Sequence, residues 1–197
     1  MSLKKITDAM NYSHGTVAGV FFFIAATQFV LFLIMAEALY PGYNIAQNYI
    51  SDLGIGPSAL FFNTSVFLLG ALMMAGTYFF HRAFHIKVFT VLLIVAALGS
   101  MGVGVFTKNS EPMHSIAALL VFLFSSLSAI YSFRVMKLPF SLISIFLGVM
   151  SLFALVLLAA QQYLGLGVGG MERMIMYPLL MWTIGFSGYL FASPEKL

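Results

Sequence analysis

Six runs of about twenty apolar residues, at 15–37, 58–80, 86–106, 114–134, 139–163 and 173–192, constrain this chain more than any other feature. Roughly twenty residues in a helix rise about 30 Å, the thickness of the hydrocarbon core of a bilayer. The runs are continuous where a barrel strand would alternate, and in lipid each segment must satisfy its own backbone amides, so helices are the solution. The expected fold is all-α: a polytopic bundle of six transmembrane helices forming one membrane domain over residues 1–197. Only 8% of the residues are charged, against about a quarter in soluble domains.

The stretch from about Gly15 to Ala36 is longer than the roughly 7 to 15 residues of a signal-peptide core, so it reads as a retained first span. With the N-terminus in the cytoplasm, that side holds Lys4, Lys5, Arg82, Lys87, Arg134, Lys137 and Lys196, leaving only Lys108 and Arg173 outside. The positive-inside rule therefore expects cytoplasmic N- and C-termini, in a multi-pass protein of the cell membrane. The net charge of +3 is accounted for by this asymmetry, and no basic run invites nucleic acid. Because the chain has no cysteine, disulfides, thiolate catalysis and sulfur-ligated metals are excluded. No cofactor is expected, since axial ligands in facing spans would be needed and no histidine lies mid-membrane.

The longest connection, 38–57, carries the turn formers Pro41-Gly42, Gly54 and Gly56-Pro57. Its Tyr40, Tyr43, Tyr49 and Ile50 suit an amphipathic outer loop at headgroup level that caps the mouth of the bundle. Ala96, Ser100 and Gly104, spaced by four, would let the third helix pack closely on a neighbour, as would Gly15 and Gly19 on the first. Three spans on either side of the midpoint would make inverted halves, as in many transporters, but the spans lack matched Gly/Pro interruptions.

The chemistry-bearing side chains collect at the outer end. Asn48, Ser51 and Asp52 come from the long loop, Asn63 from the second span, and Lys108, Glu111, His114 and Ser115 from the region before the fourth. Glu172, Arg173 and Tyr177 come from the start of the sixth. The plain reading is capping and cross-linking, with Glu172 paired to Lys108 and Arg173 to Asp52. The sharper reading is a shared polar pocket for a lipid phosphate or ester, with Lys108 and Arg173 as anion contacts. Ser51, Asp52 and His114 supply the residue types of nucleophile, orienting acid and base. No Gly-x-Ser-x-Gly elbow accompanies them, and Asp52 or Glu111 paired with His114 would also suit acid–base work. On the opposite side, His81 and His85 stand at i, i+4 and could share a metal, with Asp8 and His14 nearby. The pair lacks the glutamate of a His-Glu-x-x-His motif and suits interfacial anchoring, so no metal site is expected. Gln28 and Glu37 complete the polar residues of the spans, where an ionisable group is a functional candidate.

Ile50-Ser-Asp-Leu-Gly-Ile-Gly-Pro leading into Phe61-Phe-Asn63, then Gly104-Val-Phe-Thr and His114 opening the next helix, resembles the layout of an uncharacterised archaeal and bacterial membrane family, DUF998. More remotely, the chain is similar to the eukaryotic Frag, DRAM and Sfk membrane proteins, which also carry a Ser-acid-Gly segment after the first span. The resemblance implies six spans, a preserved outer face built on Ser51, Asp52, Gly54, Asn63 and His114, and, by analogy with the remote relatives, a lipid-related role. It implies no catalytic residue.

Four readings stand. The pocket binds a lipid headgroup or other amphiphile, making membrane lipid the partner; it hydrolyses or transfers an acyl or phosphoryl group; the protein is a structural subunit, as a homo-oligomer or within a membrane complex; or it moves a small solute.

Overall fold

The computed structural model describes residues 13–192. Six α-helices follow one another: α1 His14–Leu39, α2 Ala59–Phe84, α3 Lys87–Val105, α4 Met113–Tyr131, α5 Phe140–Ala159 and α6 Gly167–Ala192, with no strand among the described residues. All six are long and apolar enough to cross a membrane, and the chain is a multi-pass membrane protein of six helices. Each helix packs on its chain neighbours and α1 returns to α6, so the bundle is a closed ring. One end carries the start of α1 and the finish of α6, here the terminal end; the other carries the long 40–58 connection, here the loop end.

Small residues set the ring's tightness. A Cβ on Gly70 would stand 2.5 Å from the Ala97 carbonyl oxygen, one on Gly99 2.5 Å from the Val121 nitrogen, and one on Gly104 2.8 Å from the Asn63 carbonyl oxygen. Lipid supplies no hydrophobic force between helices, so this closeness, with its dispersion contacts, holds them together. Buried hydroxyls add cross-links. Ser100 donates to the Val66 carbonyl at 2.8 Å, and Ser151 to that of Ile175 at 2.8 Å while lying 2.9 Å from Ser126 Oγ. Gln28 donates to the Ser65 carbonyl at 3.0 Å, joining α1 to α2. The Ala96, Ser100, Gly104 face therefore meets α2, and Gly19 meets α6 beside Ser187.

Aromatic rings fill the terminal half of the interior. Phe186 stacks on Trp182 at 5.6 Å and meets Phe22, Phe80 and Phe89 at 5.5 to 5.8 Å. Offset and edge-on contacts of this kind add about 0.5–1.5 kcal/mol each beyond the area they bury.

Three departures from the sequence expectation shape the loop end. First, α6 begins at Gly167 and not at 173, because Glu172 and Arg173 are both buried and both partnered inside the protein, so neither charge ends the helix. Second, α5 stops at Ala159, where Gln161, Leu164 and Gly165 adopt positive φ and turn the chain into α6. Third, the long loop does not simply lie across the mouth. A 3₁₀ turn, Ile50–Gly54, dips into the ring and buries Ile50 and Leu53 completely.

Candidate functional site

The dipping turn is held by two charges of α6. Helical and 3₁₀ N-termini leave backbone N–H groups without partners, and the Glu172 carboxylate, buried beneath the turn, accepts the Ile50 N–H. One residue on, Arg173 clamps the rest of the loop. Its Nη1 donates to the Ile45 carbonyl at 3.2 Å and to that of Gly169 at 3.1 Å; its Nη2 donates to the Glu37 carboxylate and, at 2.8 Å, to the Tyr43 hydroxyl. Tyr43 passes its own proton to the Tyr49 carbonyl at 3.1 Å. Burial pushes the Tyr43 phenol up to about 12, beyond the lowering effect of the guanidinium, so it stays a donor at neutral pH. Glycines make the approach feasible: a Cβ on Gly169 would fall 2.0 Å from the Asn48 carbonyl oxygen, while Gly169 N–H donates to the Ala46 carbonyl at 3.1 Å.

Beside this turn, between α4, α5 and α6, lies a cavity of about 310 Å³. Its upper wall is polar: Ser51, Lys108, Glu111, His114, Ser115 and Glu172, with Tyr49. Its lower wall is apolar: Ala118, Leu119 and Phe122 of α4 face Leu155 and Leu158 of α5. Lys108 pairs with Asp52 and rests on the Tyr49 ring, 4.2 Å from its centroid, an ion pair joined by a cation–π contact. Burial raises the Tyr49 phenol as well. His114 is buried, and its Nδ1 lies 2.8 Å from the Phe106 carbonyl. A carbonyl only accepts, so Nδ1 carries the proton and Nε2 is the ring's basic nitrogen.

Six of the outer residues singled out from sequence thus share one cavity: Ser51, Lys108, Glu111, His114, Ser115 and Glu172. The others do not line it. Asp52 stands behind Lys108, its second oxygen accepting the Tyr49 N–H at 2.9 Å, and so makes no contact that would orient His114. Asn48 accepts the Asn44 N–H at 3.0 Å and shapes the loop, and Asn63 donates to the Gly54 carbonyl at 3.0 Å. The expected pairs do not form: Lys108 meets Asp52 and not Glu172, and Arg173 meets Glu37 and not Asp52. Arg173 spends both terminal nitrogens on loop and helix acceptors, the Glu37 carboxylate among them, and so clamps the loop, while its buried Nε has no partner among the described residues. Tyr177 lines a separate, mostly apolar groove of about 250 Å³ between α1 and α6, beneath Glu37.

At the terminal end, the His81 and His85 rings lie 5.7 Å apart. Thr90 Oγ1 gives its proton to the Ile86 carbonyl, so at 3.1 Å it accepts from His81 Nδ1. Among the described residues no third carboxylate or imidazole joins the pair. His14 stacks on Phe79, and Asp8 lies outside the described residues.

Sequence reasoning missed Tyr49 as a lining residue and the whole lower wall. Nothing marks Leu119, Phe122, Leu155 and Leu158 in the sequence, because lipid-facing and cavity-facing positions of a membrane helix are equally apolar.

A family model described as a protein of unknown function, DUF998, matches residues 12–188. No curated protein and no solved structure matches, so the likeness to the Frag, DRAM and Sfk proteins rests on the Ser-acid-Gly segment alone.

Proposed function

The chain belongs to the DUF998 family, and from its own geometry we propose that the loop-end cavity binds an amphiphile, holding a phosphate-bearing headgroup at the polar wall and an alkyl chain against the apolar one. The observation that carries this reading is the division of one cavity into those two walls. Lys108 and Ser51 supply donors for phosphate oxygens, and exposed Glu111 suits an ammonium on the same headgroup. Leu119, Phe122, Leu155 and Leu158 lie where the chain would run, on the bilayer side of the headgroup. The distribution of basic residues supports a cytoplasmic terminal end, with the cavity opening to the outer leaflet of the cell membrane.

The test is binding of lysophosphatidylethanolamine to the purified protein in amphipol, read by native mass spectrometry and thermal stabilisation. Lys108→Met and His114→Ala are expected to reduce both. Equal binding and stabilisation in wild type and both variants would sink the proposal.

One observation favours catalysis at the same place. Phe106 holds His114 in the tautomer that leaves Nε2 basic, and Ser51 lines the same wall. In this reading Nε2 takes the Ser51 proton as Oγ attacks an ester carbonyl, then returns it to the departing alkoxide; water later releases the acyl group by the same route. A fluorophosphonate that labels wild type and spares Ser51→Ala supports it. Labelling of neither protein, with no ester turnover, removes it.

A further inference from the structure

Building on the amphiphile reading, we infer that Phe122 is the residue that limits the length of alkyl chain the site accepts. The mouth cavity is the first of three voids along the bundle axis. A second, of about 30 Å³, lies behind Ser51, His114 and Glu172, walled by Phe62, Val66 and Val103. A third, of about 40 Å³, sits deeper among Met73, Leu179 and Thr183. Leu69, Val121 and Met176 line both small voids, but Phe122 is the one side chain that lines all three. Ser51, His114, Ala118 and Glu172 also stand between the mouth and the second void, but Phe122 is the one residue shared by the mouth and the deeper third void, and its ring is the partition between those two.

The depths fit a chain-length limit. At about 1.5 Å per residue, Phe122 lies about 12 Å along α4 from His114. By the same rise, Thr183 lies about 16 Å along α6 from Glu172, near the middle of a core about 30 Å thick. The three voids therefore run from the polar wall to roughly mid-membrane. An alkyl chain descending past Leu119 and Leu158 meets the buried Phe122 ring before it reaches the lower voids. Beyond the ring the deeper void is mostly apolar, broken only by the hydroxyls of Ser125 and Thr183, and includes two unbranched methionines, Met73 and Met176, that adapt readily to a guest. Farther along α6 Trp182 stacks on Phe186.

The consequence is a break in chain-length dependence. While added methylenes remain within the mouth cavity, affinity rises about fourfold for each one buried. Once the tip meets Phe122, further methylenes must leave the cavity and the rise stops. Truncating the ring joins the voids and moves the break to longer chains; enlarging it moves the break to shorter ones.

The experiment uses the full chain in amphipol and a homologous series of lysophosphatidylethanolamines, with dissociation constants measured at each chain length. Wild type is expected to show a rising limb and a plateau. Phe122→Ala, and to a smaller degree the gentler Phe122→Leu, shifts the plateau to longer chains, and Phe122→Trp shifts it to shorter ones. Met176→Ala, which enlarges only the lower voids, leaves the break in place. A break common to wild type and every folded Phe122 variant overturns the inference, as does an equal shift in Met176→Ala, and both outcomes leave the amphiphile reading standing. Absence of binding by every member of the series to wild type removes that reading and this one together.

Discussion

Arg173 on the second turn of α6 and Glu37 near the end of α1 form an ion pair at the seam where the helix ring closes, 136 residues apart in sequence. The same guanidinium holds the loop through Tyr43 and Ile45, so a single cation ties together the first helix, the last helix and the loop that leads into the dipping turn. Removing one partner of a buried charge pair costs about 3–5 kcal/mol, because the other is left unpaired. Arg173→Met is expected to destabilise the protein toward the lower end of that range, about 3 kcal/mol, since Glu37 is partly exposed and can rehydrate. Glu37→Gln strands the more deeply buried Arg173 without its counter-charge and is expected to cost more, toward the upper end of that range. Unfolding in detergent measures both, and equal losses would contradict the unequal burial of the partners.

Tyr43 gives a pH signature. Its phenol sits at about 12 in the fold and at about 10 in the unfolded chain. A raised folded value means that the unfolded chain releases its proton first. The contribution to stability is whole below about pH 10 and is lost as pH climbs toward 12. Tyr43→Phe should lack this component of the alkaline decline. At neutral pH it should also cost about 1.5–3 kcal/mol, for a hydrogen bond to a charged donor. Parallel stability curves for the two proteins from pH 10 to pH 12 would refute the assignment.

Gly169 and Gly185 lie on the same helix and should respond oppositely to alanine. A methyl at Gly169 collides with the Asn48 and Ile45 carbonyl oxygens, whereas one at Gly185 meets nothing within 4 Å. Gly169→Ala is expected to lift the loop and destabilise by about 1–3 kcal/mol, the usual cost of overpacking. Gly185→Ala is expected to stabilise by about 0.5–1 kcal/mol through helix propensity. Proteolysis of the 40–58 segment reads the first effect directly, and thermal unfolding reads both.

Lys108 and Asp52 should matter little for stability. Their pair is partly exposed, and such pairs contribute about 0–1 kcal/mol. Asp52→Asn is expected to lower stability by less than about 1 kcal/mol. It also releases Lys108 from its counter-charge and tightens binding of a phosphate headgroup. A titration with lysophosphatidylethanolamine checks this, weaker binding being the contrary result.

The six helices were legible because continuous apolar runs leave few alternatives in lipid, and the loop end was legible as the place where polar side chains gather. What could not be read was which of them meet. Glu172 and Arg173 are adjacent in the chain yet serve different partners, Ile50 and Glu37, chosen by how the loop folds back rather than by any spacing. The early start of α6 was hidden by Gly167-Val-Gly-Gly, a poor helix former chosen for its lack of side chains where Ala46 and Asn48 cross. The apolar wall was hidden for a different reason. In a soluble helix burial imposes a hydrophobic stripe, but between lipid and cavity no such contrast exists, and Phe122 reads like any other phenylalanine.

The ring of Phe186, wedged among Phe22, Phe80, Phe89 and Trp182, fills the terminal half of the interior with aromatic side chains, so that among the described residues the cavity's polar mouth lies at the loop end. A guest of the kind proposed above, entering at the loop end, would have to depart by the way it came. Under the proposed amphiphile reading, traffic would then be exchange at the loop end alone, its speed governed by how fast the guest lets go rather than by any passage across the bilayer.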